Sequence, residues 1–171
     1  MAQDLQIELS DQALLQAIDD ALALLAHPAQ MMDDIGAQIE ANAELRFDTK
    51  TDPNGQPWAP LSPTTVEIYE SDWFKALNPD FKDGIPGSLL QRTNALRRSL
   101  THNASDDWVD VGTSRPTRGG KWQIGLLHEW GTKTMPRRGI LTADPEAGTL
   151  GAGDQADVLA VVSGYMQGIF G

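Results

Sequence analysis

The chain has no cysteine among its 171 residues. That excludes disulfide scaffolds and thiolate metal sites, and it fits a reducing cytoplasm. Bases are few: 13 Lys and Arg against 24 Asp and Glu leave a net charge of −11. Phosphate contacts supply most of the affinity of a nucleic-acid binder, so such proteins show the opposite balance. Sequence-specific nucleic-acid recognition is therefore not expected. Long apolar runs are missing too. The longest, Ala21 to Ala26, falls far short of the roughly 20 residues a membrane span needs. Met1-Ala2-Gln3-Asp4 lacks the positive region and apolar core of a signal peptide. The expectation is a soluble, intracellular protein with no membrane partner.

An apolar content of 40% over this length is enough for one domain with a real core, spanning residues 1–171. The acids are spread widely while the bases cluster at Arg92, Arg97, Arg98, then Arg115, Arg118, Lys121, then Lys133, Arg137, Arg138. Two readings follow: a solvated surface with local salt bridges, or a basic edge that meets an acidic neighbour in an assembly.

Periodicity places the elements. Gln3 to Leu9 alternates as a short strand, and Ser10 then caps a helix whose apolar face runs from Leu14 to Leu25. His27-Pro28 ends it. A second helix is expected from Met31 to Phe47, with Met32, Ile35, Ile39 and Phe47 inward, so residues 10–47 form a helical amino-terminal part. Ser62-Pro63 opens a helix that carries Val66 to Leu77 and stops at Asn78-Pro79. The Pro/Gly-bearing segment 78–88 reads as a mobile loop. A short helix follows from Thr93 to Leu100, then a strand over Asp107 to Thr113 and a hairpin-like loop over Ser114 to Gly120. Met135 to Leu141 reads as extended and Asp144 to Gly153 as a linker. Asp154 and Asp157 resemble a capping pair for a last helix, Val158 to Ile169. The fold class is α+β, a small antiparallel sheet packed by several helices.

The most distinctive stretch is Asp52-Pro53-Asn54-Gly55-Gln56-Pro57-Trp58-Ala59-Pro60-Leu61-Ser62-Pro63. Pro-Asn-Gly reverses the chain, and Pro57 and Pro60 stiffen the arm that carries Trp58. Trp58 is either core or an interface anchor. Enzymatic signals are weak. His128-Glu129 would need a second histidine four residues after the first to make a zinc helix, and that position is Thr132. The main reading of His128 is a buried imidazole bonding a backbone carbonyl before the Gly131 turn. A metal-dependent hydrolase using His128 and Glu129 stands as the alternative. Gly84-Ile85-Pro86-Gly87 and Gly119-Gly120-Lys121 lack phosphate-loop spacing, and no serine sits in a Gly-x-Ser-x-Gly elbow. No catalytic residue, cofactor or metal is expected.

Taken in order, five blocks carry a resemblance: the proline arm, Leu89 to Leu100, Val109 to Thr113, Ile124 to Gly131, and Met135 to Leu141. In them the chain resembles the phage virion morphogenesis proteins (tail-completion proteins, Mu protein G-like or tail completion protein S-like). These help to finish tails and join them to heads. The resemblance implies a non-enzymatic protein of the virion neck or tail end, made in the host cytoplasm, with a small sheet packed by helices. It implies assembly into a homo-oligomeric ring that meets tail tube, terminator and connector proteins, with passage of DNA through the ring left open. A tail-assembly chaperone absent from the finished particle is the other reading. Pro136 and Arg138 match the family's Pro-x-Arg, and histidine is usual at position 128. The family has glycine where this chain has Asn94, which tolerates similar backbone geometry. The interface candidates are Trp58, Leu61, His128, Gly131, Arg137 and Arg138. Arg138 is an internal or an intersubunit ion pair, and Met135 to Leu141 is a strand edge offered to a neighbour.

Overall fold

Helix α1, Ala29–Thr49, is the element against which the strand pair and the last helix pack. In this computed structural model the described residues are 23, 28–77, 79, 89–90, 94–117 and 119–170. The expected strand Gln3–Leu9, the Ser10 cap with nearly all of its helix, and all but one position of the 78–88 loop lie outside them. The i, i+4 series Ile39, Ala43, Phe47 puts one apolar stripe on α1, and all three are buried. Met32 and Ile35 are only half-buried. The helix stops at Lys50, which takes the left-handed conformation (φ 58°) and returns its N–H to Arg46 O.

Beyond α1 the arm folds back. The Asp52 carboxylate accepts the N–H groups of Asn54 and Gln56, at 2.8 and 2.9 Å, and Gly55 supplies a positive φ. Trp58 N–H then bonds Lys50 O, which drops the indole edge-on against the Phe47 ring, centroids 5.6 Å apart. Helix α2, Pro63–Glu70, starts as expected: the Ser62 hydroxyl accepts Thr65 N–H and Pro63 is the first helical residue. The single helix expected through Leu77 is two. Ser71 is extended (ψ 141°) and its hydroxyl bonds Ile68 O, so it competes with the helix ladder before α3, Asp72–Leu77, begins.

The helix expected from Thr93 is reduced to one 3-10 turn, Arg97–Ser99, entered from Asn94 at φ 52°. It leads into β1, Thr101–Ala104, which pairs antiparallel with β2, Val109–Gly112, in the register Thr101↔Gly112 to Ala104↔Val109. β2 was expected. β1 was not, because its inward positions are His102 and Ala104, which carry no strand signature. The hairpin-like loop expected over Ser114 to Gly120 is closed by Thr117 N–H on Trp122 O at 2.7 Å and Ile124 N–H on Arg115 O at 2.9 Å. Helix α4, Ile124–Trp130, follows.

The supposed linker 144–153 is a tight turn closed at Asp144 and Thr149, and its last two residues already belong to a helix. Thr149 pairs with Ala143 and Asp144, and the Asp144 carboxylate accepts Glu146 and Ala147 N–H. Helix α5, Ala152–Phe170, then runs antiparallel to α1. Asp154 and Asp157 are not a capping pair for it. Asp154 is ion-paired to Arg46, and Asn42 bonds both carboxylates, at 3.0 and 2.7 Å. Near the other end Tyr165 donates to Asp34. The result is α+β: a helix pair, a two-stranded hairpin against α1, and a core of Phe47, Trp58, Leu89, Leu96, Leu100 and Ile140 under the arm.

Candidate functional site

The blocks that stand out in sequence converge on α4. The helix ends at Gly131 (φ 69°, ψ −173°), where a Cβ would lie 2.9 Å from Arg137 N and 3.0 Å from Met135 O. Only glycine allows the 132–138 segment to close so tightly under the helix end. Arg138 N–H then bonds His128 O at 2.9 Å.

Glu129 is the hub of this corner. Its buried carboxylate accepts the N–H groups of Ile140 and Leu141, both at 2.6 Å, and the Thr142 hydroxyl at 2.9 Å. Thr142 N–H adds a longer contact of 3.4 Å. A carboxylate so engaged has no free lone pair to act as a general base, which removes that role from the hydrolase reading. Among the described residues no group of three or more His, Asp or Glu is arranged to hold a metal.

The arm is stitched to the same segment from the other side. Trp58 Nε1–H donates to Gly139 O at 3.0 Å, and the Arg138 guanidinium donates to Ala59 O and Pro60 O, both at 2.9 Å. Trp58 is 5% exposed and Arg138 6%. Trp58 therefore belongs to the core, and Arg138 braces the arm from within while also lining a cavity. Arg137 also turns inward, its Nε–H on Glu129 O at 2.8 Å and its Nη2 on Thr142 O. Part of the backbone of Met135 to Leu141, the segment read as a strand edge, is already engaged. Donors 138 and 140–142 and the carbonyls of 139, 140 and 142 are all bonded within the chain.

His128 and Leu61 remain, and they share a cavity of about 360 Å³ between α2, α4 and residues 134–138. Burial first, and the Arg138 charge second, hold the imidazole pKa down at about 4, so it is neutral at pH 7. The expected bond to a backbone carbonyl is not made at Nδ1, a buried atom without a hydrogen-bond partner among the described residues.

The model of the phage virion morphogenesis family matches residues 9–159, which take in the arm, α4 and the Pro-x-Arg segment. The chain belongs to the phage virion morphogenesis family. No curated protein and no solved structure matches it. Membership gives it a structural part in building the phage virion, and among the described residues no helix is long and apolar enough to cross a membrane.

One surface of this morphogenesis protein escaped sequence reasoning. Trp122, Leu126 and Trp130 are 58, 58 and 54% exposed. Leu126 and Trp130, four residues apart, share the side of α4 opposite Ile124 and His128, and Trp122 lies on the hairpin that leads into the helix. Trp73 and Trp108 are exposed as well, so of five tryptophans Trp58 alone is buried. The spacing was legible; it reads as core until burial is known.

Proposed function

We propose that this protein acts in tail completion and head–tail joining, and that it does so by assembly: protomers form a ring at the tail end and meet tail and connector proteins. The observation that carries this reading is the exposure of Leu126 and Trp130 on one side of α4, with Trp122 exposed on the hairpin before it. Large aromatic side chains on a surface mark protein contacts, because they bury much area at low entropic cost. The α4 face is also rigidly held. Glu129, on the same short helix, ties it to residues 140–142, and Gly131 fixes its end. A preorganised face loses little on binding. The acidic surface, net −11, gives self-repulsion that the apolar contact must overcome.

The test is the solution mass by light scattering, across concentration and salt, of the parent protein and of Leu126→Glu and Trp130→Ser. A discrete oligomer in the parent and a folded monomer in both variants is the expected result. Variants that assemble like the parent, and that also complete tails as well as the parent does, would remove this face from the mechanism.

A further inference from the structure

Arg138 poses a problem that the internal struts do not solve. Its charge is buried, yet no carboxylate among the described residues pairs with it; its Nε and Nη2 go to neutral backbone carbonyls and Nη1 makes no bond there. Buried charges are ordinarily paired. Arg138 lines the same cavity as His128, and Arg115 lies at that cavity too. No Asp or Glu lines it among the described residues, in a chain with 24 of them. The remaining walls are largely apolar: Leu61, Leu96, Ile124 and Met135.

We propose that this cavity is a socket for an aspartate or glutamate side chain presented by another virion protein chain. Its carboxylate sits against Arg138 and His128, and an apolar neighbour of that residue sits among Leu61, Ile124 and Met135. Charge complementarity selects the occupant: a cation with no carboxylate partner among the described residues, in a cavity with largely apolar walls, accepts one anion that carries an apolar neighbour. Phosphate would meet the cation but leave the apolar walls uncovered. That the carboxylate comes from another virion protein rests on the assembly reading above; the chemistry of the socket does not.

The experiment uses small probes on the full chain and needs no assembly. Sodium 4-methylpentanoate, which carries one carboxylate on a branched apolar chain, is titrated while the His128 ring resonances are followed by NMR. Inorganic phosphate and 4-methylpentanol are the controls. Saturable shifts at millimolar 4-methylpentanoate are expected, with the His128 titration midpoint raised by about one unit by the adjacent anion. Both controls should have little effect. Met135→Glu, which places a carboxylate in the cavity, should abolish the probe's effect. No saturable shift with the parent protein would overturn the proposal, whatever becomes of the variant. Phosphate binding as tight as the carboxylate probe would overturn it in favour of a plain anion site. Shifts that persist in a folded Met135→Glu protein would place the probe elsewhere and sink the assignment. Because light scattering plays no part, a failed socket and a failed ring are told apart.

Discussion

Arg46 and Arg138 are buried to nearly the same degree, 8 and 6% exposed, and each joins parts of the chain far apart in sequence. Each also donates to backbone carbonyls: Arg46 to Ile140 O at 2.7 Å, Arg138 to Ala59 O and Pro60 O. They differ in their counter-ion. Arg46 is paired with Asp154, which sits in the first turn of α5 where the helix dipole also favours a negative charge, and Asn42 bonds the same carboxylate. Arg138 has no carboxylate partner among the described residues, and the imidazole near it is held uncharged by its own burial. A buried arginine with its own carboxylate completes the fold and leaves nothing for a ligand. One without it keeps its fold role and leaves a cation lining a cavity.

Removing one member of the complete pair is the harshest way to break this comparison. Asp154→Ala orphans the Arg46 charge and should cost about 3–5 kcal/mol in urea unfolding. That is a large part of the roughly 5–15 kcal/mol that holds a domain together. Replacing both partners with apolar residues of similar size, Arg46→Met with Asp154→Leu, should recover most of the loss, since no lone charge is left behind. Arg138→Met should cost less, about 1–2 kcal/mol: two hydrogen bonds go, but an uncompensated buried charge goes with them. If Arg138→Met proves as costly as Asp154→Ala, the two arginines are not different in kind.

What could be read from the sequence, and what could not, follows the same division. Ser62-Pro63 opens a helix and Pro-Asn-Gly turns the chain because each acts through its own backbone, and Asn94 does take the left-handed conformation. The stripe on α1 is visible because its spacing is local. Arg46 and Glu129 were invisible as centres of the structure. Their partners lie 108 and 11 to 13 residues away, and those of Glu129 are mostly backbone N–H groups, which leave no trace in a sequence. Trp58 is placed in the core by the carbonyl of Gly139, and the internal bonds of Arg138 go to the carbonyls of Ala59 and Pro60, with no carboxylate among the described residues; neither partner could be read from the sequence. Position 128 could be singled out from its motif, but its charge state depends on burial and on Arg138, neither of which a single sequence gives.

The histidines sharpen the contrast through pH. The folded-state pKa of His128 is about 4, below the ordinary value of 6.5. Folding therefore favours the neutral ring. Its contribution is intact above pH 6.5, falls as pH drops through the window from 6.5 to 4, and is gone below it. The full span is on the order of 3 kcal/mol. His128→Gln should flatten that part of the stability–pH curve. If the same slope persists in the variant, the acid sensitivity belongs to the carboxylates.

His102 has the opposite sign and a smaller effect. Its Nδ1 lies 2.5 Å from the Glu40 carboxylate and its Nε2 3.3 Å from Asp33. Hydrogen bonding to Glu40 raises its pKa, partly opposed by desolvation. The charged ring is thus favoured on folding, so its contribution is complete below pH 6.5 and disappears as pH rises through the raised folded value. The site is partly open to solvent, which screens the pair and keeps the effect well below that of His128. His102→Gln must be judged by slope and not by absolute stability. The ring also packs on Gly36, where even a methyl group would come within 2.7 Å of it, so the substitution disturbs packing at every pH. Only the part of the difference between parent and variant that shrinks as pH rises above 6.5 reports the ion pair. A difference constant across that range would assign His102 to packing alone and leave His128, of these two, as the histidine through which folding senses pH.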